Sequence, residues 1–178
     1  MKTSALVVAG FAAVLVTSTA CHAVEATDQQ TIAECRDTEV HVDSADRARA
    51  CSRVLGRRDL SKHEVAEFRC NRAWAYMLSS RLGEAMADFD AAVVAAPDWF
   101  LPYNERAFLH LRNGQAKAAL SDYNAALKLK PDAVYAHYGR GLALARLGDD
   151  VGSSSETSAA RRLEPNVGEV FRKLGVSP

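Results

Sequence analysis

The chain has 178 residues, room for one domain or one short array with a modest core. Lys and Arg together number 22, Asp and Glu another 22, so the formal net charge is zero. That balance argues against nucleic acid as a partner, since its binders carry a marked basic excess or stripe; the locally basic stretch Arg47 to Lys62 also holds Asp59 and reads as a solvated helix face.

The first element is a leader. Lys2 is followed by an apolar run from Ala5 to Val16 and then by small residues, the layout of a secretory signal peptide. The run is about a dozen residues long, short of the roughly 20 that a membrane-spanning helix needs. Cleavage after Ala23 would remove residues 1–23, and Val24-Glu25-Ala26 offers a second site. A third outcome is lipidation, because Ser18-Thr19-Ala20-Cys21 resembles a bacterial lipoprotein signal, although Ser18 stands where that signal prefers an apolar residue. Soluble export to the periplasm or medium is expected, and a membrane enters only if Cys21 carries lipid.

Without Cys21, the thiols Cys35, Cys51 and Cys70 remain, which in an oxidising compartment means one pair and one leftover. No CxxC and no Cys/His cluster has metal spacing, so no metal and no cofactor is expected. Residues 24–65 form a less regular helical stretch. Beyond them the sequence turns periodic. Residues 66–99, 100–133 and 134–167 each divide into two segments of helical apolar period around a turn such as Arg112-Asn113-Gly114, and 168–178 follow as a short cap.

Comparing the chain with itself at an offset of 34 explains the period. Pro97, Pro131 and Pro165 recur, preceded by Ala92, Ala126 and Ala160, by Phe89, Tyr123 and Thr157, and by Ala85, Ala119 and Ser153. On the first segment of each unit stand Ala73, Ala107 and Gly141, then Tyr76, His110 and Leu144. This pattern resembles the tetratricopeptide repeat, a 34-residue helix-turn-helix unit with small, aromatic and Pro positions at these intervals. The resemblance implies an all-α solenoid of about three repeats plus a degenerate N-terminal unit and a C-terminal capping helix. The physics agrees: small residues let paired helices approach, the aromatic fills the wedge between units, and proline stops the second helix.

On that repeat frame, RARACSRVL from Arg47 to Leu55 aligns with AMADFDAAV from Ala85 to Val93 if about four residues are inserted between Gly56 and Lys62. Cys51 then stands in the place of Phe89 and Cys35 in the place of Ala73. A Cys35–Cys51 disulfide stapling the first hairpin is the expectation, worth about 3 kcal/mol for a loop of that length. Cys70 becomes the leftover thiol.

Catalytic chemistry finds no support. His63-Glu64-Val65-Ala66-Glu67 begins like HExxH but lacks the second His. His110 and His137 occupy positions that are usually aromatic. Ser153-Ser154-Ser155 lacks the strand-to-helix elbow of a nucleophilic serine. The chain is not expected to be an enzyme.

Two further patterns concern charge and partners. Arg72, Arg106 and Arg140 recur in step with Asp88, Asp122 and Glu156, which suggests ion pairs within or between units; an anion-binding row is the alternative, and it would need the arginines unpaired. The resemblance also places Asn104 and Tyr138, then Trp74, Phe108 and Leu142, then Met77, Leu111 and Ala145 on the concave face. Such a groove suits an apolar or helical peptide. The Lys/Asn clamp that some relatives use for acidic tails is replaced by Cys70, Trp74, Leu101 and Glu105. The expected function is a periplasmic protein–protein interaction module. Its rival is a homo-oligomeric or lipid-anchored assembly protein.

Overall fold

The computed structural model describes residues 28–36 and 42–177; the expected leader, with Cys21, lies outside them. Among the described residues there are nine helices and no strand. They are α1 over 28–36, α2 Ser44–Leu55, α3 Lys62–Leu78, α4 Leu82–Ala95, α5 Phe100–Arg112, α6 Ala116–Leu129, α7 Val134–Arg146, α8 Asp150–Leu163 and α9 Val167–Lys173. Each expected unit is one helical hairpin: α3/α4, α5/α6, α7/α8. The fold is the all-α repeat solenoid that the period of 34 predicts.

The turns explain the hairpins. In each unit the first helix ends with a 6→1 backbone bond, from Arg81 N–H to Tyr76 O, Gln115 to His110 and Asp149 to Leu144. The residue before each donor is left-handed: Ser80 at φ 60°, Gly114 at 76° and Gly148 at 85°. This closure satisfies the orphan carbonyls of the helix end. Helix α3 starts four residues before its counterpart position in α5 because Ser61 and Glu64 form a reciprocal capping box. The inserted residues near Gly56 to Lys62 are thus partly absorbed as an extra first turn, and Glu64 of the HExxH-like run serves as a cap.

Packing follows the small-and-aromatic pattern. Ala73, Ala85, Ala107 and Ala119 are fully buried, as are Phe89 and Tyr123. The tip of the Tyr123 side chain abuts Gly139, where a Cβ would come within 2.2 Å of its Cζ. In the last unit Thr157 replaces the aromatic and packs against Gly141, its hydroxyl donating to the Ser153 carbonyl at 2.9 Å.

The buried apolar residues form two clusters. The larger runs through the three repeats and takes in Val167, Phe171 and Val176 at the C-terminal end. The smaller holds Cys35, Ala50, Cys51, Val54 and Phe68. Cys35 and Cys51 are joined as a disulfide at an S–S distance of 2.05 Å, between α1 and α2. Cys70 is a buried free thiol, and burial pushes its pKa well above the usual value, so it stays protonated and inert.

Candidate partner-binding groove

The two helices of each repeat are locked by arginine–carboxylate pairs, and in the first repeat Arg69 Nη1 adds a bond to Asp88 at 3.0 Å. Arg72 grips Asp88 through Nε at 2.7 Å and Nη2 at 2.8 Å, and Arg106 grips Asp122 with the same two distances. Arg140 Nη2 donates to Glu156, which also lies 2.6 Å from His137 Nδ1. Burial alone would raise the Glu156 carboxyl, but the bonds from His137 and Arg140 outweigh it and hold its pKa below the ordinary range. Nη1 of each arginine reaches back one unit, Arg72 donating to Ser52 Oγ at 3.0 Å, Arg106 to Asp90 at 2.8 Å and Arg140 to Asn124 at 3.2 Å, while Arg140 Nε is buried without a hydrogen-bond partner. Ser52 takes the Asp90 place in the alignment of RARACSRVL. The arginines are therefore paired, which removes the premise of an anion-binding row. His110 joins the same network, with Nε2 3.8 Å from Asp122.

The concave face differs from the open groove that the repeat alone implies, because the short helix α9 folds onto it. Phe171 meets Phe108 at 5.4 Å and Tyr138 at 5.0 Å between ring centroids, and Arg161 Nη2 donates to the Tyr138 hydroxyl at 3.2 Å. Arg146 pins the following segment by donating to the Ser177 carbonyl at 2.8 Å. Of the seven residues expected to face a partner, Met77, Leu111, Tyr138, Leu142 and Phe108 are 0–4% exposed. Met77, Leu111 and Leu142 belong to the core as the structure stands, and Tyr138 is sealed under α9. The reason is that the first-helix row read as concave also faces its own paired helix and the cap.

Trp74, Asn104 and Phe108 remain at a cavity. A space of about 520 Å³ lies between α3, α5, α7 and α9, walled by Trp74, Phe100, Phe108, Tyr135, Val170 and Phe171. Trp74 stacks on Phe108 at 5.5 Å. A second space of about 450 Å³ is lined by Arg47, Cys70, Asn71 and Leu78, and shares Trp74, Leu101, Glu105 and Leu174 with the first. The two adjoin at a waist formed by Trp74, Leu101, Glu105 and Leu174.

Glu105 stands at that waist. Its carboxylate accepts from Trp74 Nε1 at 2.6 Å and from Asn104 Nδ2 at 3.1 Å, and burial raises its pKa against those two bonds. Sequence reading noted Glu105 only as a departure from the clamp and missed Phe100, Tyr135 and Leu174 as lining. The acid set between Asn104 and Arg106 was the available signal; the lining by Leu174 depends on where α9 folds, which no local pattern states.

A TPR repeat family model matches residues 112–148, from the end of α5 to the end of α7. A comparison with curated proteins returns no match. Among solved structures, a mutant O-GlcNAc transferase of Thermobaculum terrenum is 22% identical over 67% of this chain, with a TM-score of 0.58, and the match spans 22% of that protein. The crystal structure of MamA is 16% identical over 71% of each chain, also at a TM-score of 0.58. A TPR repeat is thus matched at the centre of the array, and the all-α repeat solenoid is the fold this chain shares with both structures.

Proposed function

We propose that the chain is an exported protein–protein interaction module that holds a peptide or helical segment of a partner in the groove between α3, α5, α7 and α9. The observation that carries this reading is the pair of adjoining spaces around Trp74, the larger walled by aromatic side chains, of which Tyr135 is 44% exposed. Aromatics at the mouth of a preformed apolar groove are where binding energy concentrates. Export rests on the Ala5 to Val16 run, and the Cys35–Cys51 disulfide agrees with an oxidising compartment such as the periplasm. None of the described helices is long and apolar enough to cross a membrane. Intact mass of the native protein reads directly whether Cys21 is cleaved off or lipidated.

The test is photo-crosslinking in cells from a probe at Tyr135, with mass spectrometry of the adducts. A distinct second protein, joined to this position and absent when the probe sits at the remote, exposed Val151, is the expected result. Adducts only to the chain itself would overturn the module reading in favour of a homo-oligomeric assembly protein.

A further inference from the structure

Four carboxylates sit inside the repeat array, and one of them is answered differently. Asp88, Asp122 and Glu156 are each gripped by an arginine. Glu105 has only neutral N–H donors, from Trp74 and Asn104, and among the described residues no basic side chain lies within ion-pair distance of it. Its neighbours are also short of partners: the Asn104 Oδ1 and the hydroxyl of the fully buried Tyr123 are enclosed without a hydrogen bond, and both residues line the same cavity. A desolvated carboxylate held only by neutral donors is costly, because burial penalises the charged form and the bonds from Trp74 and Asn104 only partly offset it.

The walls suit the missing charge. Trp74, Phe100, Phe108, Tyr135 and Phe171 surround the cavity, and an aromatic face attracts a cation when water is excluded. The protein already makes such a contact at the rim, where Lys130 Nζ sits 4.7 Å from the Phe100 ring centroid. The charged lining of this cavity is two carboxylates, Glu105 and Asp132, against that one ammonium, and the adjoining space that shares Glu105 also holds the Arg47 side chain. The space of about 520 Å³ has room for an alkyl stem with its head.

We propose that this cavity receives one lysine side chain of the bound partner, with its stem along the aromatic walls and its ammonium on the Glu105 carboxylate. An ammonium brings three N–H donors and no acceptor, which fits a site whose open capacity is oxygen. The inference rests on the module reading, because it takes the lysine from a partner held in the groove.

The test has two arms. In the first, n-butylammonium, a stand-in for the lysine side chain, is titrated into the full chain while the indole N–H resonances of Trp74 and Trp99 are followed by NMR. A saturable shift at Trp74 and none at Trp99 is expected. The neutral isostere 1-butanol, and n-butylammonium with the Glu105→Gln variant, should each bind about tenfold more weakly. Gln keeps an acceptor for the Trp74 N–H and removes a buried charge, so this variant folds, and circular dichroism confirms it. Equal binding of amine and alcohol, or amine binding indifferent to Glu105→Gln, overturns the proposal. In the second arm, the partner segment crosslinked at Tyr135 is sequenced and its lysine changed to methionine. Loss of affinity in the wild type but not in Glu105→Gln is expected. Amine selectivity with no crosslinked partner overturns the partner as the source and leaves a free amine; a crosslinked segment without a needed lysine overturns the inference while the module reading stands.

Discussion

Ser80 holds φ 60° at the position where Gly114 and Gly148 hold 76° and 85°. Only glycine occupies that conformation without a Cβ penalty. The three sites close the same turn, yet one carries a side chain it would be better without. Ser80→Gly should therefore stabilise the fold by about 1 kcal/mol, read as a rise in the urea midpoint at unchanged slope; a fall would mean that the Ser80 side chain holds something the turn needs. At this scale the sequence was partly legible. Arg112-Asn113-Gly114 announces its turn, whereas Ser79-Ser80 does not, because a left-handed serine has no signature beyond its place in the repeat. Trp74 and Phe108 were legible as groove residues by the same logic. Glu105 was not, since what makes it unusual is the lack of a nearby cation, and only folding decides that.

Between elements, the arginines do two jobs at once. Arg106 binds Asp122 on the paired helix α6 and Asp90 on the preceding hairpin, and those bonds raise its pKa despite burial. Removing the arginine strands a carboxylate that is 7% exposed. Arg106→Met should cost about 3 kcal/mol, and adding Asp122→Leu should recover most of that loss, because a buried pair is worth little against an apolar one while a broken pair is expensive. Urea unfolding of the two variants checks it. A single variant within 1 kcal/mol of wild type, on the scale of an exposed pair, would show that water reaches the site. The matching periods of Arg72, Arg106, Arg140 and their acids pointed to pairing from sequence alone. The backward reach to Ser52, Asp90 and Asn124 did not show, because those acceptors differ chemically and share only a position.

Across the whole molecule, the two buried clusters divide the stability. The smaller one is closed by the disulfide, whose sequence separation is 16. Cross-linking a loop of that size contributes about 3 kcal/mol. Reduction should loosen α1 and α2 first, leaving α5 to α8 folded; hydrogen exchange with and without dithiothreitol resolves the two regions. Simultaneous loss of protection in α5 to α8 would mean that the array unfolds as one body. The overall architecture was legible because a period of 34 repeats every packing contact, so each observation counts three times. The course of α9 was not, since it departs from the repeat: the expected cap over 168–178 forms a helix that ends at Lys173 and packs Phe171 against Phe108 and Tyr138 on the concave face.

The backward-reaching arginines also constrain how such a gene can change length. Each bridge joins a residue to one in the unit before it, so between Arg72 and Glu156 a segment can be duplicated or lost only in whole multiples of 34 codons if the series is to stay unbroken. Excision of residues 100–133 would hand Asp90 from Arg106 to Arg140, which now uses Asn124. The four extra residues between Ser52 and Arg72 keep their bridge only because they lie at a helix end, where the capped first turn of α3 takes them up.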